Sequence, residues 1–193
     1  MNADSNAPRS VEELIQRIKN PDDAVSGPAW QGAAAYGAAA IPPLAQLLLD
    51  PDFEVARRAK RALYRITRHA GRPGADQETQ AAEAALLPLL AQEKVAISRE
   101  VLWLLSEIGS DRAVPPMAAL LANAELREDA RCALLRLPGD RPTAALEAAF
   151  QTAPEDFKYA LADSLRSRGL QVEGYPSRKR VPTHETTVKP KGN

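Results

Sequence analysis

Three stretches, VARRAKRALYRI (55–66), ISREVLWLLSEI (97–108) and LREDARCALLRL (126–137), carry apolar or small residues at the same five of twelve places. These are the first, fifth, eighth, ninth and twelfth: Val55, Ala59, Ala62, Leu63 and Ile66; Ile97, Val101, Leu104, Leu105 and Ile108; Leu126, Ala130, Ala133, Leu134 and Leu137. Steps of three and four follow the α-helical period and lay the five side chains along one stripe. VSGPAWQGAAAY (25–36) and FKYALADSLRSR (157–168) fit the same template more loosely. One striped helix cannot bury its apolar face alone, so its recurrence demands stacked neighbours that share a continuous core.

A second helical type alternates with the first: VEELIQRI (11–18), IPPLAQLLL (41–49), ETQAAEAALLPLLAQ (78–92), AVPPMAALL (113–121) and PTAALEAAF (142–150). Pro42, Pro43, Pro115, Pro116 and Pro142 stand in first turns, where a missing N–H costs little. Pro88 lies deeper and is expected to kink or break its helix. Connectors rich in acid, NPDD (20–23), DPD (50–52) and APED (153–156), precede the striped helices and are expected to cap them. AGRPGADQE (70–78) reads as a flexible loop after the second pair. The result is an all-α chain of about five helix pairs, repeating roughly every 30 residues.

Composition agrees. Hydrophobic residues make up 45% of the chain but aromatics only 5%, which favours packed helices over strands. The 193 residues suffice for one core, and no apolar run reaches the roughly 18–20 residues that span a bilayer. The polar N-terminus lacks the apolar region of a secretory signal, and a single cysteine excludes an internal disulfide. Both suit a reducing, cytoplasmic setting. Two histidines and one cysteine make no conventional zinc site, and no cofactor motif appears.

GSDRAVPPMAALL, together with the striped helix type, resembles the short bacterial HEAT repeat, also called PBS-lyase HEAT-like; the matching residues are Gly109, Asp111, Arg112, Pro115, Asp140 and Arg141. The resemblance covers about residues 11–169, specifies fold far more than function, and implies an α-solenoid whose second helices line the concave side. The domain reading is therefore a terminus (1–9), a HEAT-like domain (10–169) and a basic, solvated tail (170–193). Repeat one is rich in glycine, and Ser164 and Arg168 interrupt the stripe of repeat five, as terminal caps with a polar outer face would.

With the stripe buried, about 100° per residue turns 57, 60, 61, 64 and 68 outward. Equivalent places hold Gly27, Trp30, Gln31 and Ala34; Arg99, Leu102, Trp103 and Ser106; Glu128, Arg131, Cys132 and Leu135; Tyr159, Ala162, Asp163 and Arg166. Both tryptophans of the chain fall on this face. So does the densest run of positive charge, RRAKRALYRITRHAGR (57–72), with seven cations and no carboxylate in a protein whose 25 cations balance 25 anions. Tryptophan, tyrosine and arginine are the residues enriched at binding hot spots. The candidate partner site is Trp30, Arg57, Arg61, Tyr64, Arg99, Trp103 and Arg131, and the partner expected is a protein with an acidic segment.

The rival is sequence-tolerant nucleic-acid binding, with arginines along the phosphates and Tyr64 and Trp103 stacking on bases. A pI near 6.8 and acids at Glu128 and Asp163 weigh against it. Catalysis has little footing. Trp103 and Glu107 resemble, weakly, the aromatic–acid pair of HEAT-like alkylpurine DNA glycosylases, and no chromophore-specific residue matches the bilin lyases. Cys132 beside Arg131 reads as an incidental thiol. In the tail, SRKR (177–180) is placed to steer an acidic partner, with Tyr175 and Val181 as anchors of an extended segment.

Overall fold

The computed structural model describes residues 10–177 apart from 93. Expectations for 1–9 and 178–193, including Val181 and most of the SRKR run, lie outside the described residues. The helices pair in chain order: α1 (Val11–Lys19) with α2 (Asp23–Gln31), α3 (Ile41–Gln46) with α4 (Phe53–Ala70), and α5 (Asp76–Leu86) with α6 (Val95–Ile108). α7 (Val114–Ala119) pairs with α8 (Arg127–Arg136), and α9 (Asp140–Thr152) with α10 (Glu155–Ser167). The even-numbered helices pack successively, α2 on α4, α4 on α6, α6 on α8 and α8 on α10, while the odd ones form a second layer. This is an α-solenoid of helix pairs, and among the described residues there is no strand.

The stripes form its core. Of the fifteen positions in the three best-matched helices, all are buried except Ile108, which packs partly buried against the others. Asp22 and Asp52 cap α2 and α4, accepting from the amides of Ala24 (2.9 Å) and Glu54 (2.8 Å). Asn20 and Asp50 hold the preceding turn in the same way, at 2.9 and 3.0 Å. The APED connector departs from this: Pro154 is the N-cap of α10 and supplies no side-chain bond, so Glu155 and Asp156 act only as first-turn charges. At Pro88 the α-helix gives way to a 3-10 turn, Leu87–Ala91, as a ring without an N–H requires.

The expected long loop is a short turn, 71–75, because α4 runs to Ala70 and α5 begins at Asp76. Thr79 Oγ1 donates to the Ala70 carbonyl (2.8 Å), and Arg72 pairs with Glu78 (2.5 Å), tying the turn down. Gly109 closes α6 where a Cβ would meet the Leu105 carbonyl at 2.5 Å. Gly139 takes a left-handed φ of 92° before α9. Between those turns, Arg141 and Asp111, two of the family-like positions, pair at 3.5 Å across consecutive repeats.

Ser164 and Arg168 do not form a polar outer face. Ser164 is buried and accepts from Arg131 Nη1 (2.6 Å). Arg168 reaches back to the carbonyls of Leu135 (3.0 Å) and Leu137 (2.8 Å), satisfying the end of α8. The packed body also continues past residue 169. Leu170 and Val172 lie on the core, Tyr175 sits edge-on to Phe150 and Tyr159, and Arg166 donates to the Gly174 and Tyr175 carbonyls.

Candidate functional site

α4 is an 18-residue helix with three kinds of flank. Its stripe faces the core. Arg58 turns towards α2, where it is buried and donates to the Asn20 carbonyl (3.1 Å) and Asp23 (2.8 Å). One cation of the basic run is thus a structural tie between helices. Five of the others border an open groove of about 970 Å³ lined by Trp30 of α2 and by Arg57, Lys60, Arg61, Tyr64, Arg65 and Arg68 of α4, among others, while Arg72 lies in the turn after α4.

Most of that charge is answered within the protein. Arg57 pairs with Glu54 one turn earlier. Lys60 reaches Glu100 of α6 (2.5 Å), which also accepts the Tyr64 hydroxyl (3.3 Å). Arg68 reaches Glu107 of α6 (3.4 Å). Burial, then the Glu100 charge, pushes the Tyr64 phenol well above the ordinary tyrosine range, so it stays a hydrogen-bond donor. Arg61 and Arg65 differ. Neither has an ion-pair partner among the described residues, and both lie over the Trp30 indole, at 5.1 and 5.8 Å from its centroid.

The structure brings together four of the seven predicted residues, Trp30, Arg57, Arg61 and Tyr64, around this groove. The other three stand elsewhere. Arg99 is tied to Asp129 (2.9 Å) and to the Glu125 carbonyl (3.1 Å), bridging α6 to the turn before α8 and α8 itself. Arg131 is largely covered, with 14% of its side chain exposed, and is held by Glu128 (2.9 Å) and Ser164. Trp103 is 41% exposed, with the Arg136 guanidinium 4.8 Å from its ring centroid. Cys132 is exposed and accepts from Arg131 Nη2 at 3.3 Å. Glu107 is engaged by Arg68.

The outward face read from the sequence needs correction. Leu102, Ser106 and Ala162 are buried. Places equivalent to 60 and 64 lie on the flank that meets the next even-numbered helix: Lys60 and Tyr64 reach Glu100 of α6, and Ser106 of α6 receives Arg136 of α8. Places equivalent to 58 and 65 meet the previous one, which is why Arg65 belongs to the groove although periodicity alone does not put it there. The places equivalent to 57 and 61 are the ones best placed to face outward; in the three best-matched helices they hold Arg57, Arg61, Arg99, Trp103, Glu128 and Cys132.

No protein-family model matches the chain, and no curated protein matches it. Among solved structures it is similar to an engineered protein at 23% identity, covering 81% of this chain and 78% of that one, with a TM-score of 0.41. It is also similar to a designed armadillo repeat protein in complex with the peptide (KR)4, at 19% identity over 81% of each chain, TM-score 0.44. A second designed armadillo repeat protein aligns at 17% identity over 82% of this chain and 99% of that one, TM-score 0.37. The assignment as an α-solenoid rests on the helix order and packing described above.

Proposed function

We propose that this chain is a non-catalytic protein-binding module that holds an acidic segment of a partner on its inner face, centred on the groove between α2 and α4. One observation carries this reading. Arg61 and Arg65, alone among the groove's arginines, have no carboxylate partner among the described residues, and both lie over an indole at the edge of an open groove. A guanidinium over an aromatic ring spends none of its N–H donors on a carboxylate, and its planar fork matches one bidentately. Two such groups one helical turn apart repel each other, and an incoming anion relieves that repulsion.

The rival polyanion, nucleic acid, finds less to hold. Glu54, Glu100 and Glu107 already neutralise Arg57, Lys60 and Arg68, so the stripe that would track a phosphate backbone is interrupted. The test is fluorescence anisotropy of a labelled glutamate-rich peptide beside labelled single- and double-stranded oligonucleotides, at two salt concentrations. The peptide is expected to bind the wild type and to fail with Arg61→Glu/Arg65→Glu. Oligonucleotide binding with a salt slope of several times −0.9 would replace this reading with the nucleic-acid one.

A further inference from the structure

We propose that the acidic segment is gripped at two points, Arg61 and Arg65 over Trp30 and Arg136 over Trp103, with a neutral stretch of about five or six residues spanning between them. This rests on the proposed role of the inner face as the seat of an acidic protein segment. It adds a second subsite, two arginines that the sequence did not single out, and a spacing.

The two tryptophans share one construction. Each stands on an even-numbered helix, and the next such helix lays a guanidinium on it: Arg61 and Arg65 of α4 on Trp30 of α2, Arg136 of α8 on Trp103 of α6. Arg65 and Arg136 occupy the same place, the eleventh, in the aligned stretches starting at Val55 and Leu126. In the stretch between them that place holds Glu107, which reaches back to Arg68 instead. Arg136, like Arg61 and Arg65, has no carboxylate partner among the described residues. Its Nε donates to Ser106 Oγ (3.0 Å), and Ser106 is itself fixed by donating to the Trp103 carbonyl (2.6 Å). That anchorage orients the guanidinium and leaves its two terminal nitrogens for a ligand.

The seam between the two subsites is closed. Lys60 and Tyr64 are engaged by Glu100, and Arg68 by Glu107, so an acid placed there would meet two carboxylates and no spare cation. From the α2/α4 seam to the α6/α8 seam is two helix spacings, roughly 16–20 Å at about 8–10 Å each. An extended chain rises about 3.3 Å per residue, which sets the five or six residues.

The two tryptophans also provide the assay. Trp103→Phe leaves Trp30 as the sole indole, and Trp30→Phe leaves Trp103, while phenylalanine keeps an aromatic face in each subsite. The probes are blocked peptides with two Glu-Glu pairs separated by one, five or ten glycine and serine residues, and a peptide with a single pair. Both indoles are expected to respond to the five-residue spacer, which should bind at least about tenfold more tightly than the single pair, since a spanning linker makes the second contact intramolecular. Arg136→Ala should reduce that peptide to single-pair affinity while single-pair binding near Trp30 stays unchanged. Affinity independent of spacing, or a silent Trp103, would overturn the two-point grip and leave the acidic-segment reading standing. Failure of every acidic peptide to perturb Trp30 would overturn both.

Discussion

Arg58 and Arg61 are three residues apart on one helix, the first buried between helices and the second exposed at the groove. Replacing each with alanine tests that difference. Arg58 is 6% exposed and donates to the Asn20 carbonyl and to Asp23. Asp23 is 90% exposed on its side chain, so the ion pair itself contributes only about 0–1 kcal/mol. The charged bond to the Asn20 carbonyl is worth about 1.5–3 kcal/mol, and the guanidinium stem also fills space between α2 and α4. Arg58→Ala should therefore cost about 2–4 kcal/mol, a fall in Tm of roughly 5–15 °C at about 2–4 °C per kcal/mol for a chain of this size. Arg61 is exposed and has no ion-pair partner among the described residues, so Arg61→Ala should lose only its contact over Trp30, about 0.5–1 kcal/mol, or roughly 1–4 °C. Thermal unfolding followed by circular dichroism decides. If Arg58→Ala melts with the wild type, or Arg61→Ala falls as far as Arg58→Ala, then α4 is rotated differently against α2 and the basic run has no division of roles.

Thr67 Oγ1 is buried on α4 with no hydrogen-bond partner among the described residues, so Thr67→Val, which keeps the shape, should raise stability by about 1 kcal/mol; denaturant unfolding would show a later midpoint at unchanged slope. The Tyr64 phenol is raised, first by burial and then by Glu100. Its favourable contribution is present below the ordinary tyrosine pKa of about 10 and is lost as pH climbs from there towards its own higher value. Absorbance titration at alkaline pH should show a late tyrosinate step that Tyr64→Phe removes. Glu78 is lowered, chiefly by the Arg72 hydrogen bond, so the tie across the 71–75 turn holds above the usual glutamate range and is lost as pH falls through the depressed value. Hydrogen exchange at the start of α5 should quicken on acidification in the wild type and be insensitive to pH, after correction for intrinsic rates, in Glu78→Gln.

The helix pairs, their order and their buried stripes are legible in the sequence because each is written in local terms. Apolar residues at steps of three and four define a face, Asp22 and Asp52 mark helix starts, and Pro88 ends an α-helix wherever that helix lies. The site was only half legible. Periodicity says which stripe of a helix is buried, but a solenoid helix has neighbours on both sides, and they cover flanks that no single-helix pattern distinguishes. That is why Leu102 and Ser106 are enclosed, why Arg58 serves as a tie, and why Arg65 and Arg136 reach aromatic rings 35 and 33 positions earlier in the chain. Pairing is decided at the same level. Arg99 and Arg131 read from the sequence as free cations like Arg61; Glu128 is one turn from Arg131 on the same helix, but Asp129 is brought to Arg99 and Ser164 to Arg131 only when the repeats stack. Pairs such as Arg57 with Glu54 lie one turn apart and are local, but those of Lys60, Arg68 and Arg99 use carboxylates of the adjacent repeat, about 30 to 40 residues away, and only the stacking of repeats sets that distance.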